Sequence, residues 1–558
     1  MSAEYLKEME AALKEWRPSW QAWYDEGVPY TTSYPEQSIK WWFNHWAGKH
    51  PDKPYLLLGE MEFSYGIVNS LARRIANALL DLGVKKGDRV SIMAPNVPQY
   101  IFTFQALHKI GAIEVPTNPL YTVPELKEQF NDSGTETVVV MAMFAPKAIE
   151  LLKDQACAVK RVIAFQVPSG AVELEPVAGL YDFNQEVMES SDQEPDIEVT
   201  INDIAKLQYT GGTTGVPKGC VLTHGAMMAQ AEMTATWTTA AFKLIPQDEL
   251  RSLCAIPLSH IYGYNANLGV SLFTGCGIVL VPVPNADTLL DAIARHSPNL
   301  WGAVPAMIIG LNQHPKITET DVSSLKGIFC GSSPLAVEVM NEFERLTGGR
   351  IFEGYGLSET INILTVNPVF TQRKLGSVGL AFPNTDLVVV DVETGTKVMP
   401  RGELGELVAR GPQVMREYWN NPEETAIALR GGWFYTGDIV LMDEEGYIFI
   451  VDRKKDIILC NGLNVYPRDI DEVAYELPQV MEACAIGVPH EKRGEAVKLY
   501  VVLKEGAALT AEQVIEYCRT KLAPYKVPSE VEFIQELPRT SVGKPDRKAM
   551  REIAQSAK

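Results

Sequence analysis

A loop rich in glycine and threonine constrains this chain more than any other stretch. Residues 209–219 read YTGGTTGVPKG and lie between the runs DIAKLQY and CVLTH, which both predict strands. Glycines let backbone N–H groups face an anion, threonine hydroxyls add donors, and Lys218 adds positive charge. This composition indicates a loop that binds a polyphosphate.

The loop departs from the Walker A pattern of P-loop ATPases. That pattern needs a glycine directly before the lysine and a helix after it. Here Pro217 precedes Lys218 and a strand is predicted to follow. A P-loop ATPase is therefore disfavoured. A plain hairpin turn is the other interpretation, but a turn needs only two or three such residues.

Charge and length narrow the class of protein further. The 558 residues predict several domains, and the hydrophobic fraction of 46% with 22% charged residues is typical of a folded globular chain. The formal net charge is −20. Because binding along a nucleic-acid backbone needs a positive surface, we expect no nucleic-acid partner. A nucleotide is still a possible substrate, because a nucleotide site needs positive charge only at that site and not over the whole surface.

The cysteine spacing and the lengths of the apolar runs indicate the cellular compartment of the protein. The 8 cysteines are scattered without a CxxC pair, which predicts reduced thiols rather than disulfides or a zinc site. The N-terminus lacks a basic region followed by an apolar stretch, and no run of 18 apolar residues occurs. We therefore expect a cytoplasmic protein. Several tryptophans before residue 47 either pack the first helices onto the body or form a membrane-surface patch, so membrane association is at most peripheral. A homo-oligomer stays open.

The alternation of helical and strand patterns predicts an α/β fold. We expect a large N-terminal region made of layered α/β subdomains, which begins with an entry segment over residues 1–60. Short strands with Gly and Pro turns predict a small β-rich part at about 375–452. The charged run Asp452-Arg453-Lys454-Lys455-Asp456 marks the predicted junction. We predict a large N-terminal domain over 1–452 and a small α+β C-terminal domain over 453–558.

Seven motifs in order make a family resemblance. The loop is followed by PLSH at 257–260, GSSPL at 331–335, EGYGLSE at 353–359, YTGD at 435–438, DRKKD at 452–456 and PRTSVGK at 538–544. From about Phe63 to Arg547 the chain resembles adenylate-forming enzymes. Among the AMP-forming acyl-CoA synthetases, its motif sequences are most similar to those of fatty acyl-CoA synthetases. The resemblance implies ATP, Mg²⁺ and coenzyme A. It also implies that residues 1–452 form an adenylation domain and that the C-terminal domain over 453–558 is mobile.

The implied chemistry has two half-reactions. A carboxylate attacks the α-phosphate of ATP to give an acyl-adenylate and pyrophosphate, and the thiol of coenzyme A then displaces AMP. Because an anion approaches an anion in the first step, the site must supply cations and oriented donors. The resemblance assigns catalysis to Thr214, Glu359 and Lys544, with Glu359 also holding the metal.

Further positions follow from the same resemblance. It assigns nucleotide binding to Thr210, Gly211, Gly212, Thr213, Thr214, Gly215, Lys218, Ser333, Pro334, Glu353, Gly354, Tyr355, Gly356, Ser358, Asp438, Arg453 and Lys544. It assigns the acyl pocket to His260, Tyr264, Gly331, Ser332 and Gly356. It also implies a hinge at Lys455, about which the C-terminal domain rotates between half-reactions, and a thiol tunnel beside Gly462.

The acid itself is open at this point. Fatty, cyclic and aromatic acids all fit, because NPLYTVPELKEQFNDSG resembles the fatty acyl branch whereas GSSPL is closer to the aryl form. Two other functions remain: an enzyme that loads a carrier protein, and a catalytically silent nucleotide-binding protein. The direction of the reaction in the cell is also open.

Replacing Lys544 with alanine should separate the two half-reactions. Because its ammonium can help only while it lies at the α-phosphate, Lys544→Ala should cripple ATP–pyrophosphate exchange yet spare thioester formation from supplied acyl-adenylate. Both rates are measured on one preparation of the variant. Equal loss in both would contradict the assigned role.

Overall fold

Four β-sheets organise the described part of the chain. The computed structural model describes residues 3–33, 36–167, 170–210, 217–242, 245, 249–333, 335–460, 463–490, 493–539 and 545–556. Two sheets are largely parallel and are interleaved with helices, a third is antiparallel, and a fourth lies in the C-terminal part. The predicted α/β class, with a large N-terminal region and a small C-terminal domain, is confirmed.

The first sheet carries the strands on both sides of the glycine-rich loop. In sheet order its strands are Leu180–Asp182, Arg161–Phe165, Thr137–Met141, Arg89–Met93, Ile113–Pro116, Ile204–Tyr209 and Gly219–Thr223. All neighbours pair in parallel except the last two strands, which are antiparallel. Parallel strands end at one edge of their sheet, so the loop after Tyr209 emerges at that carboxyl edge.

The second sheet brings three of the other motifs to a common edge. In sheet order its strands are Leu380–Ala381, Thr365–Val366, Arg350–Tyr355, Gly327–Cys330, Leu300–Ala303, Arg251–Cys254, Gly277–Leu280, Pro54–Leu58 and Met61–Ser64. The run from Arg350–Tyr355 to Pro54–Leu58 is parallel. The motifs at 257–260, 331–335 and 353–359 therefore lie at or just beyond the carboxyl ends of neighbouring strands.

The third and fourth sheets follow each other along the chain. The third contains Asp386–Val390, Leu404–Arg410, Trp433–Met442, Leu429–Arg430 and Ile448–Arg453. The fourth contains Leu463–Val465, Ile458–Cys460, Gly494–Leu503, Val480–His490 and Glu530–Phe533. The chain crosses between them through the short 3₁₀ turn Lys454–Asp456. This turn lies inside the predicted junction, and the domain limits themselves stay predictions.

The helices begin and end where the local sequence directs. The α-helices are Ala3–Gln21, Ile39–Lys49, Tyr65–Asp81, Pro98–Ile110, Val123–Ser133, Ala145–Lys153, Phe183–Glu189, His224–Phe242, Ile261–Gly263, Val270–Thr274, Ala286–His296, Pro305–Asn312, Val337–Thr347, Pro422–Ala428, Pro467–Tyr475, Ala511–Lys521 and Arg547–Ser556. Helix Tyr65–Asp81 begins where the Ser64 hydroxyl accepts the Ile67 N–H, and it ends before Gly83, whose φ is +85°. Among the described helices, none has the length and apolar composition to cross a membrane.

Within the entry segment, helix Ala3–Gln21 packs onto the third sheet, whereas helix Ile39–Lys49 packs into a separate core. Trp16 and Trp20 are buried in a core shared with that sheet, whereas Trp41 keeps 43% of its surface exposed. The Asp25 carboxylate accepts hydrogen bonds from the backbone N–H groups of residues 369–371, at 2.6 to 2.9 Å. Packing therefore explains most of these aromatic side chains. All eight cysteines are free, and seven of them are buried, as expected for reduced core thiols.

Candidate active site

The two described ends of the glycine-rich loop meet as a closed neck. The Thr210 N–H donates to the Lys218 carbonyl at 3.0 Å, and Tyr209 pairs with Gly219 across the antiparallel strands. The predicted phosphate-binding positions Gly211, Gly212, Thr213, Thr214 and Gly215 lie outside the described residues. The neck fixes where that loop leaves the carboxyl edge.

Lys218 holds a counter-ion that the sequence analysis missed. Its ammonium forms an ion pair with the Glu424 carboxylate and lies 5.1 Å above the centre of the Tyr418 ring. Glu424 stands in the first turn of helix Pro422–Ala428, where the Asn421 side chain accepts the Glu424 N–H at 3.1 Å. The local sequence, Asn421 followed by Pro422, predicts only the start of a helix. Nothing in it predicts a contact with Lys218.

Glu359 also has a hydrogen-bond partner, and it is Tyr418, whose ring lies under Lys218. It lies in the turn Ser358–Thr360, and its Oε1 accepts a hydrogen bond from the Tyr418 hydroxyl at 2.7 Å. Burial of Tyr418, and then the neighbouring Glu359 carboxylate, raise the pKa of the Tyr418 phenol well above its ordinary value. The hydroxyl therefore stays protonated and donates to the carboxylate.

Residues 415–419, called the bridging segment below, connect the glycine-rich loop to Glu359. On one side, backbone bonds link Arg416 to Val221 at 3.0 Å, Val221 to Glu417 at 2.9 Å and Trp419 to Gly219 at 2.7 Å. On the other side, the Met415 N–H donates to the Glu359 carbonyl at 2.7 Å. Two motifs from different sheets are thereby tied to one short piece of backbone.

Tyr355, Asp438 and Arg453 form a second cluster. The Tyr355 hydroxyl donates to Asp438 Oδ2 at 2.5 Å, and Arg453 Nε lies 3.0 Å from Asp438 Oδ1. Asp438 and Arg453 face each other in the register of neighbouring strands, and Asp438 is almost fully buried. The Asp438 charge raises the pKa of the Arg453 guanidinium, while burial acts the other way. Because a carboxylate has about four lone-pair sites, Asp438 keeps capacity for two hydroxyl donors.

The remaining predicted nucleotide positions surround the end of strand Arg350–Tyr355. The buried Glu353 carboxylate accepts the Leu335 N–H at 3.2 Å, which joins this strand to the loop at 331–335. Ser333 is exposed and Ser358 half-buried, while Pro334 lies outside the described residues.

Two predicted glycines in this region are closely packed. A Cβ on Gly356 would fall 1.4 Å from the Asn362 carbonyl oxygen, and one on Gly354 would meet the Phe329 ring at 2.7 Å. Close packing therefore requires glycine at both positions.

The predicted acyl-pocket residues do not all share one surface. His260 Nδ1 accepts the Tyr262 N–H at 3.2 Å and so caps a turn, and Ser332 adopts a φ of +78°. Beside it, a Cβ on Gly331 would meet the Tyr262 ring at 3.4 Å. Tyr264 is fully buried elsewhere, with the Lys206 ammonium 4.2 Å from its ring centre. That ammonium pairs with Glu114 at 3.0 Å inside the protein core.

A largely apolar cavity lies under the second sheet. Its cavity volume is about 50 Å³. That is well below the roughly 300 to 1,000 Å³ of typical ligand pockets, so an acyl chain could enter only if the lining side chains moved apart. Its lining comes from Thr234, Trp237, Thr238, Asn265, Ala266, Val270, Leu300, Trp301, Gly302, Gly327, Phe329, Phe352, Asn362, Ile363, Val366 and Phe382. The sequence analysis missed this set, because its members are spread over almost 150 residues and share no local pattern.

The predicted hinge lies beside several ion pairs. Lys455 is exposed within the turn Lys454–Asp456. Its neighbours are held, with Lys454 paired to Glu406 at 2.8 Å and Asp456 paired to Arg551 at 2.6 Å. Gly462 and Lys544 lie outside the described residues, so the thiol tunnel and the catalytic lysine stay predictions.

The described residues do not form a metal site by themselves. Among them, no group of three or more His, Cys, Asp or Glu side chains is placed to hold an ion. Mg²⁺ characteristically binds through one or two carboxylates together with substrate phosphates. A single carboxylate, Glu359, tied by the bridging segment to the neck of the glycine-rich loop fits that kind of shared site.

Comparisons with known proteins agree on one family. The model described as AMP-binding enzyme matches residues 43–419, and the model described as AMP-binding enzyme C-terminal domain matches residues 469–544. A long-chain-fatty-acid–CoA ligase of Bacillus subtilis (strain 168) is 38% identical over 94% of this chain and 96% of its own.

Two solved structures match in fold. An anthranilate CoA ligase in complex with anthranoyl-AMP has a TM-score of 0.81 at 25% identity, covering 94% of this chain and 98% of that one. ATP-bound MatB from Rhodopseudomonas palustris has a TM-score of 0.82 at 30% identity, covering 93% of this chain and 100% of that one.

Replacing Glu424 with glutamine should lower the Michaelis constant for ATP. The Glu424 carboxylate competes with phosphate for the Lys218 ammonium, and a partly exposed ion pair contributes roughly 0.2 to 1 kcal/mol, so the change should be at most about fivefold. ATP–pyrophosphate exchange measures it. Glu423→Gln removes the same charge one residue away and is the control. A Michaelis constant that rises above that of the control would show that Glu424 supports nucleotide binding instead.

Proposed function

This chain belongs to the AMP-binding enzyme family and is an AMP-forming acid:CoA ligase, and from that premise we propose that its acid is a long-chain fatty acid. The predicted ligase, which uses ATP and coenzyme A and forms an acyl-adenylate, is confirmed at the level of the class. The fatty acid, the Mg²⁺ and the individual residue roles below are proposals.

Similarity to a long-chain-fatty-acid–CoA ligase, 38% identical over 94% of this chain, carries the proposal of a fatty acid, and the apolar lining of the cavity supports an aliphatic chain. Asn362 on its lining lies three residues after Glu359, whereas Leu300 and Gly327 are the first residues of their strands. Strands of four residues span roughly 10 Å, so the cavity extends about that far from the carboxyl edge toward the amino ends. An acyl chain that parted the lining side chains and entered it would gain about 0.8 kcal/mol for each methylene removed from water.

The entry segment supports one wall of this cavity. The Trp237 indole N–H donates to the Asn367 carbonyl at 3.4 Å, and its ring packs edge-on against Tyr24 at 4.9 Å between centres. Tyr24 in turn donates its hydroxyl to the Ala381 carbonyl at 2.5 Å. Trp237 is therefore fixed from outside, and the cavity has a rigid boundary there.

The polar cluster at the edge suits the nucleotide. We assign the two polar parts of the nucleotide to two groups of residues. Asp438, with Tyr355 and Arg453, binds the ribose hydroxyls, and Lys218 binds the phosphates. Cations held close to the reacting phosphate offset the repulsion between the incoming carboxylate and the triphosphate. Mg²⁺, held by Glu359 and by substrate phosphates, would add positive charge there.

The second half-reaction needs space at the acyl carbonyl carbon, which the thiol attacks and from which AMP leaves, beside the same α-phosphate. A residue at the α-phosphate must leave before a thiol can approach, so a hinge at Lys455 provides a physical solution. Exposure of Lys455 between two anchored neighbours supports this proposal. Cytoplasmic location, peripheral membrane contact and a homo-oligomer stay predictions.

A panel of acids tests the substrate proposal. Saturated acids from acetate to stearate, together with benzoate and anthranilate, are compared by AMP release in the presence of coenzyme A. We expect the highest kcat/KM among the long saturated acids. A maximum at benzoate or anthranilate would assign the protein to an aryl substrate and refute the fatty acid. A maximum at acetate would refute both.

Filling the inner end of the cavity should shorten the preferred chain. A Cβ on Gly327 would meet Leu300 at 3.3 Å and Phe352 at 3.6 Å, so Gly327→Val places new methyl groups among the lining side chains. Each methylene that loses its place costs about 0.8 kcal/mol, so kcat/KM for the longest accepted acid should fall roughly tenfold relative to octanoate.

Gly310→Val is the control for this variant. A Cβ at Gly310 has no described heavy atom within 4 Å, and the residue lies outside the cavity lining. It should leave the chain-length profile unchanged. Parallel profiles for Gly327→Val and Gly310→Val would remove the cavity from the acyl site.

A further inference from the structure

We propose that Tyr418 is a positioning residue for the first half-reaction, whose hydroxyl orients Glu359 and whose ring holds Lys218. This inference rests on the proposed role of Glu359 at the metal. Tyr418 lies outside every motif of the sequence analysis, yet its side chain contacts both charged groups that are assigned to the phosphates.

The hydroxyl end of Tyr418 sets the orientation of the carboxylate. It donates to Glu359 Oε1 at 2.7 Å, and only 8% of the Tyr418 surface is exposed. A bond between a buried neutral donor and a carboxylate is directional and restricts rotation of the acceptor. Because the bond uses Oε1, the other oxygen, Oε2, is left to face a cation.

The backbone of Tyr418 is itself held firmly. Tyr418 forms a β-bridge with Cys220, next to the neck of the glycine-rich loop, and its N–H donates to the Thr425 hydroxyl at 3.0 Å. Adjacent bonds from the bridging segment reach Gly219 and the Glu359 carbonyl. A side chain on such a support has few alternative positions, which is what a positioning role requires.

The ring of Tyr418 acts on the lysine. The Lys218 ammonium lies 5.1 Å above its centre, within the distance at which an aromatic face attracts a cation. Glu424 neutralises the same ammonium, whereas the ring attracts it without cancelling its charge. When a phosphate replaces Glu424 as the partner of Lys218, the ring still keeps the ammonium beside the loop.

Two substitutions separate the two contacts. Tyr418→Phe keeps the ring and removes the hydroxyl, whereas Tyr418→Leu removes both. For Tyr418→Phe we expect the Mg²⁺ concentration at half-maximal ATP–pyrophosphate exchange to rise roughly tenfold, with the ATP Michaelis constant at saturating Mg²⁺ unchanged within about twofold. Tyr418→Leu should raise that Michaelis constant as well, by roughly threefold or more.

A binding measurement without turnover accompanies the kinetics. The Mg²⁺ dependence of binding of a fluorescent ATP analogue is measured without an acid substrate, and it should shift in Tyr418→Phe by the same factor. Tyr447→Phe is the control, because it also removes a buried tyrosine hydroxyl, one that donates to the Gln372 carbonyl. It should leave the Mg²⁺ dependence unchanged. A shift equal to that of Tyr418→Phe would reduce the effect to general loosening and overturn the proposal.

Combination with Glu359→Gln distinguishes this inference from the function on which it rests. Glu359→Gln should raise the Mg²⁺ requirement by itself, and adding Tyr418→Phe to it should cause no further rise. An unchanged requirement in Glu359→Gln would refute the proposed metal role of Glu359. A shift in Glu359→Gln but none in Tyr418→Phe would overturn the positioning role alone. Additive shifts in the double variant would also overturn it, since Tyr418 would then act independently of Glu359.

Discussion

The proposed chemistry depends on keeping positive charge at one place where two anions must meet. In the described part of the chain, two cations assigned to the nucleotide are each held against a carboxylate, Lys218 by Glu424 and Arg453 by Asp438. The pairs differ in kind. Glu424 is partly exposed, and our proposal has a phosphate take its place, whereas Asp438 is buried and also accepts a hydrogen bond from Tyr355. In that proposal one cation is thus exchangeable and the other stays oriented.

Sheet topology explains why these charges can be gathered at all. Parallel strands deliver successive motifs to the same edge, and two such sheets supply the glycine-rich loop and the Glu359 turn. The bridging segment then ties the two edges together through backbone bonds on both of its sides. The antiparallel third sheet adds Asp438 and Arg453 through direct cross-strand register. Asp438 and Arg453 therefore lie on strands, whereas Lys218 lies in the loop beside a strand and Glu359 in a short turn.

The apolar cavity and the polar edge serve opposite ends of one proposed substrate. A carboxylate must remain at the cations, whereas a hydrocarbon chain gains free energy only when it leaves water. Asn362 and Phe329 stand where the cavity meets the motif loops, and Leu300 and Gly327 lie at its inner end. The entry segment contributes indirectly, because Tyr24 supports Trp237 from outside the cavity. An aromatic-rich beginning of the chain thus acquires a role in shaping the acyl site.

Local sequence determined much of this protein. The glycine-rich loop between two strands, the helix that starts at Ser64 and stops before Gly83, the β-rich part and the family itself were all predictable, because caps, turns and periodicity act within a few residues. Asp438 and Arg453 lie in motifs that the sequence shows, and their roles at the nucleotide stay predictions. The predicted acyl residue Tyr264, by contrast, lies in the core beside Lys206.

Only the tertiary structure decided which distant residues meet. Tyr418 reaches Glu359 across 59 positions and Glu424 reaches Lys218 across 206, and no periodic pattern links such pairs. The cavity likewise exists only where a helix and a sheet fail to fill the space between them. Contacts of this kind follow from how whole elements pack, and that packing is a property of the folded chain rather than of any short stretch of its sequence.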